Sequence, residues 1–133
     1  DRGDDAAGLE FLNILQRISE FQFSTFIRAG STPENYLQTV TDLLPSAIVF
    51  IDTIRSLHNS GEICWIDEDE LDASEFSTHA FSIRLIAEYL RQCGVSNLRF
   101  LGIAGCDFHW GGGISESVRK GLERFFVGMR VSM

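Results

Sequence analysis

Apolar and polar positions change their period several times along this chain. Leu9, Leu12, Ile14, Leu15 and Ile18 return at the three- and four-residue intervals that keep one helical face apolar. They predict a helix from about Asp5 to Ser19. Asp4 and Asp5 stand at its start, where carboxylates accept from free N–H groups and meet the positive end of the helix dipole. Phe21 to Ala29 (FQFSTFIRA) then alternates apolar with polar, which predicts a strand. Gly30 to Asn35 is a turn into a second helix, with Thr32 at the N-cap and Pro33 at the first position. Tyr36, Leu37, Val40, Leu43 and Leu44 give that helix its expected buried face.

Pro45 closes the helix and an unbroken apolar run follows, Ala47 to Ile51. The run is too short for an ordinary helix and rich in branched and aromatic residues. It predicts a strand buried on both faces, central in a parallel sheet, and it ends on Asp52. After a polar loop, Arg55 to Gly61, a short strand is predicted at Glu62 to Ile66. Asp67 to Glu75 is acidic and reads as a loop or a single helical turn. Phe81, Ile83, Leu85, Ile86, Tyr89 and Leu90 mark an amphipathic helix closed by Cys93-Gly94. Asn97 to Ile103 is a further strand. Ala104 to Gly113 is a glycine-rich loop, and Ser115 caps a last helix with Val118, Leu122, Phe125 and Phe126 inward. The alternation of strands and helices predicts an α/β domain of three layers, helix–sheet–helix, around a mostly parallel twisted sheet. Residues 1–133 form a single domain by length.

Charge narrows the partners. Nineteen acidic against 11 basic residues leave a net charge of −8, which argues against nucleic acid and against an anionic membrane surface as ligands. No apolar run reaches the length of a membrane span. Three cysteines, at 64, 93 and 106, lack paired spacing and fit reduced thiols in the cytoplasm better than a disulfide framework.

Three residues stand where a layered α/β domain gathers a site: Asp5 before the first helix, Asp52 after the apolar strand, and His79 before the third helix. A charge at the end of a buried strand needs a partner or a task, and open sheets bind ligands at the carboxyl ends of their strands. Two carboxylates and an imidazole can hold a transition-metal ion and leave a coordination position open. Each also has a plainer reading: Asp5 as a helix cap, Asp52 as a turn cap, His79 bonded to backbone. In the loop, Cys106 and His109 have the spacing of a metal pair without a second pair nearby, and Gly111-Gly112-Gly113 lacks the Lys of a phosphate loop. The segment is expected to be a loop at the rim of the cleft.

An ordered set of short motifs resembles the [NiFe]-hydrogenase maturation endopeptidases. Gly3-Asp4-Asp5-Ala6-Ala7-Gly8 is similar to that family's GDDxxG. Ser31-Thr32-Pro33-Glu34-Asn35 resembles the PEN segment of its formate-hydrogenlyase-type branch. Val49 to Asp52, Gly61-Glu62-Ile63, Ser77-Thr78-His79, Leu101-Gly102-Ile103 and Ile114 to Val118 follow in the family's order. The family also has a first strand ending in Gly-Asn just before GDDxxG; the sequence starts after that point, so the resemblance implies an N-terminally truncated domain.

The resemblance implies an endopeptidase that removes the C-terminal extension of a hydrogenase large-subunit precursor after nickel insertion. Asp5, Asp52 and His79 would be the metal-contacting residues, and Asp5 and Asp52 the catalytic carboxylates. Nickel would come with the substrate, zinc being another ion the same donors suit, and the protein would act as a monomer. Two alternatives stay open. A maturation factor could bind the large subunit or its nickel without cutting. A phospho-acceptor receiver domain also ends a strand on Asp, but it needs a Lys after a later strand, where this chain has Ala104-Gly105.

Overall fold

The structure is a computed structural model that describes residues 6–30, 32–55, 59–71, 83–106 and 113–132. Its sheet is built from β1 (Ile48–Ile54), β2 (Ile63–Ile66) and β3 (Leu98–Ala104), in the order β1-β3-β2. β1 runs parallel to β3, with Asp52 opposite Gly102, and β2 runs antiparallel to β3, with Cys64 opposite the same Gly102. The helices are α1 (Ala7–Leu15), α2 (Leu37–Leu43), α3 (Ile83–Gln92) and α4 (Glu116–Ser132).

Strand alternation sorts the apolar residues into two layers. Ile48, Phe50 and Ile54 of β1, with Leu98, Phe100 and Ala104 of β3, pack against Leu37 and Val40 of α2 and against Ile83, Ile86, Ala87 and Leu90 of α3. The intervening residues, Ile51, Leu101 and Ile103, face the other way onto Ala7 and Phe11 of α1 and Val118, Leu122 and Phe126 of α4. The domain is therefore the expected helix–sheet–helix sandwich, with a mixed sheet. Phe11 anchors the second layer, its ring centroid 4.8 Å from Phe126 and 5.3 Å from Phe125.

Several sequence expectations need correction. Phe21 to Ala29 makes no strand: a 3-10 turn spans Ser19–Phe21 and the backbone beyond it joins no ladder among the described residues. Alternation specifies a face; a ladder also needs a neighbour to donate and accept. The strand buried on both faces is β3, whose residues from Phe100 to Ala104 are all buried. β1 is paired on one side among the described residues, its Val49 is 46% exposed, and its buried part is the carboxyl end, Thr53 and Ile54. The second helix opens as a 3-10 turn, Pro33–Tyr36, without a side-chain cap from Thr32. It ends when Leu44 turns left-handed (φ 48°), which throws Leu43 and Leu44 into solvent. In α1 the buried residues are Ala7 and Phe11, and Leu9 is exposed.

Other features follow the sequence closely. Asp67 to Glu70 forms a single 3-10 turn over Glu68–Glu70. Gly94 (φ 97°) closes α3, with Val95 N–H returning to the Leu90 carbonyl at 3.0 Å. No described helix is long and apolar enough to cross a membrane.

Candidate active site

Asp52 lies inside β1, two residues short of its end rather than at it. Its carboxylate is partly buried and accepts the backbone N–H of Thr53 at 2.8 Å. Thr53 is itself buried, 5% exposed, so this donor is fixed by the packing around it. In the strand's alternation Asp52 belongs to the row of Ile48, Phe50 and Ile54, the row that meets α2 and α3.

On the opposite face the first turn of α1 rests on the same stretch. A Cβ placed on Gly8 would lie 3.3 Å from the Ile51 carbonyl oxygen and 3.8 Å from the Asp52 Cα. The helix that follows Asp5 in sequence therefore begins against the Asp52 backbone. Asp5 and His79 themselves lie outside the described residues, as does His109. Of the three expected donors the structure places Asp52 alone.

The carboxyl edge of β1 and β3 carries a second group of side chains that the sequence reading did not bring together. Gly105 N–H donates to the Ile54 carbonyl at 3.1 Å, which holds the two strand ends side by side. Gly61 N–H donates to the Ala104 carbonyl at 2.7 Å, which brings the turn before β2 to the same edge. Ser60 Oγ then lies 2.6 Å from Ser117 Oγ, in the first turn of α4, and Ser115 Oγ lies 3.3 Å from Ser117. The exposed Cys106 thiol is 3.7 Å from both Ser115 and Ser117. Ser60 and Ser117 are 57 positions apart. In the sequence Ser60 precedes Gly61 and Ser117 lies four residues before Gly121, a pattern that reports a close contact only once the fold is known.

Two further groups stand apart from this edge. Asp67, Asp69 and Glu70 bring carboxylate oxygens within 4.8 Å of one another, all exposed, in the turn after the carboxyl end of the antiparallel β2. That places them at the end of the sheet remote from Asp52. Cys64, across Gly102 from Asp52, has its thiol pKa raised above the ordinary value, by burial first and then by the charges of Glu62 and Glu70. The shift makes its thiolate less available than that of an ordinary cysteine.

Comparison with known proteins gives a consistent result. A putative hydrogenase maturation protease of Methanocaldococcus jannaschii is 30% identical over 109 residues, 77% of this chain, and the chain spans 64% of that relative's length. The crystal structure of a [NiFe] hydrogenase maturation protease HycI from Thermococcus kodakarensis superposes with a TM-score of 0.79 at 25% identity, covering 93% of this chain and 80% of the other. The solution structure of the endopeptidase HycI from Escherichia coli matches the fold with a TM-score of 0.73 at 22% identity, over 94% of this chain and 80% of the other. Residues 10–127, from α1 through most of α4 and including Asp52 and its Gly102 neighbour, match the HycI family model, and the chain belongs to the hydrogenase maturation proteases.

Proposed function

We propose that this chain is an endopeptidase domain that removes the C-terminal extension of a [NiFe]-hydrogenase large-subunit precursor once nickel has been inserted. The observation that carries the reading is Asp52. It is a partly buried carboxylate near the carboxyl ends of the parallel strands, held by the Thr53 amide, with the start of α1 against its backbone. Asp5 directly precedes Ala6, the residue that caps α1. His79 belongs to the segment that leads into α3, and α3 packs on the face that the Asp52 row shares. Two carboxylates and an imidazole suit a first-row divalent ion such as nickel, or zinc in its place, and leave positions for ligands from elsewhere.

In this reading nickel belongs to the substrate. The precursor presents it, and Asp5, Asp52 and His79 complete its coordination only when the precursor is loaded. The contact then sets the scissile bond beside Asp5 and Asp52, either of which can deprotonate the attacking water. The setting is the cytoplasm and the working form a monomer. The test is digestion of nickel-loaded and nickel-free precursor side by side, read as a shortened large subunit on a gel. Cutting confined to the loaded form supports the proposal; equal cutting of both forms, or of neither, overturns it.

A further inference from the structure

We infer that Gly8 is a positioning residue for Asp52, an inference that rests on the proposed role of that carboxylate. The argument begins with what pins each side of the contact. Helix α1 cannot lift away from the sheet: Ala7 is 0% and Phe11 2% exposed, and the Phe11 ring is wedged against Phe125 and Phe126. β1 cannot simply slide in its own plane at Asp52, because the ladder to β3 holds Asp52 opposite Gly102. Above Gly102, the Ile54 and Ile66 side chains fill the space, 3.0–3.2 Å from where its Cβ would stand.

Between these fixed parts the first turn of α1 meets the Ile51–Asp52 peptide with no side chain intervening. A methyl group on Gly8 would come 3.3 Å from the Ile51 carbonyl oxygen, a distance that forces the neighbour to give by a few tenths of an ångström. With the helix anchored, the part that gives is the Ile51–Asp52 peptide, and the carboxylate moves with the Cα that carries it. The Asp52–Thr53 contact at 2.8 Å moves too, so Thr53 reports the displacement. Gly8 thus fixes where the carboxylate stands relative to the start of α1, while touching no substrate itself.

A misplacement of about 1 Å costs on the order of a hundredfold in rate, so a few tenths of an ångström corresponds to roughly three- to tenfold. Gly8→Ala is expected to lower kcat for loaded precursor by about that factor with KM within twofold, and to shift the Thr53 amide resonance in a nitrogen–proton NMR spectrum. Val95→Ala serves as the comparator: Val95 is buried in the other layer, just after α3, so its truncation lowers the melting temperature without loosening the anchor of α1. It should keep its kcat and leave the Thr53 amide in place. Wild-type kcat in Gly8→Ala, an equal kcat loss in Val95→Ala, or a Gly8→Ala chain that does not fold would each overturn the inference. Asp52→Asn in the same series separates the two levels. If it is inactive while Gly8→Ala is unimpaired, only the positioning role falls; if it is fully active, the reading of Asp52 falls and this inference with it.

Discussion

The carbonyl oxygen of Gly61 lies 2.0 Å from where a Cβ on Gly121 would be, so the turn before β2 and the middle of α4 touch backbone to backbone. The contact is reciprocal: a Cβ on Gly61 would lie 2.2 Å from the Ser117 carbonyl oxygen. It places Ser60 against Ser117 and sets the start of α4 at the carboxyl edge of the sheet. Gly121→Ala would ordinarily favour a helix by about 1 kcal/mol. Here both neighbours are backbone and cannot rotate away, so the substitution should destabilise by about 2–3 kcal/mol. Urea unfolding of the two proteins reads the sign directly, and a stabilised variant would show that α4 does not lie on the Gly61 turn.

Glu68 and Arg91 give a pH-dependent contribution remote from the site. The Arg91 guanidinium hydrogen-bonds the Glu68 carboxylate with both terminal nitrogens, tying the acidic turn after β2 to the last turn of α3. That hydrogen bond, with the Arg91 charge, holds the Glu68 carboxyl below its ordinary pKa against a smaller opposing effect of burial. A carboxyl depressed in the folded state stabilises the fold above its unfolded pKa, and the effect is lost as pH falls through the folded value. Both side chains are about a third exposed, 35% and 31%, so the pair is worth only about 0.5 kcal/mol. Glu68→Gln should cost that amount at pH 7, less in high salt, and nothing below the folded pKa. A cost that persists unchanged at low pH would mean that packing, not charge, is lost.

The three thiols should separate by reactivity. Cys93 and Cys106 are exposed, whereas Cys64 is half-buried with a raised pKa. Alkylation at pH 7 followed by peptide mapping should label Cys93 and Cys106 well before Cys64, because the thiolate is the reacting form. Glu70→Gln removes one of the charges that raise the Cys64 pKa and should speed its labelling modestly. If Cys64 reacts first, its environment has been misread.

The layers were legible in the sequence because both periods were strong. The three- and four-residue spacing around Ile83, Ile86 and Leu90 gave α3, and the apolar runs gave β1 and β3. What was not legible depended on contacts distant in sequence. Ala47 to Ile51 reads as a doubly buried strand, yet among the described residues it is β3 that pairs on both sides. Nothing local to either strand tells which one sits between two others. Leu43 and Leu44 continue an apolar helical face on paper, but the left-handed Leu44 ends the helix one residue too soon to bury them. Asp52 stood out as a candidate from its position after an apolar run, and the structure places it partly buried within β1. The glycine contact that holds α1 against it was not legible: Gly8 stood out only as the last position of the GDDxxG resemblance, and neither that motif nor the helix pattern tells what the glycine approaches.

The site itself makes the sharpest prediction, because its three proposed donors should fail in different ways. Asp52 is built into β1 and tied to Thr53, so Asp52→Asn keeps the shape and the amide contact while removing the charge. Asp5→Asn likewise keeps volume while removing a carboxylate that can act as base. Each should reduce processing of nickel-loaded precursor by at least about a hundredfold, the scale of losing a positioned general base, with melting temperatures close to wild type. His79→Ala removes a ligand rather than a base, and an imidazole suits nickel better than it suits a harder ion. Its effect should appear mainly in KM, as weaker recognition of loaded precursor, with kcat at saturation reduced less. The measurement is single-turnover digestion over a range of precursor concentrations for the wild type and the three variants. A His79→Ala defect confined to kcat would move the histidine from recognition to chemistry. Full activity in Asp52→Asn would remove the carboxylate on which the proposed mechanism stands.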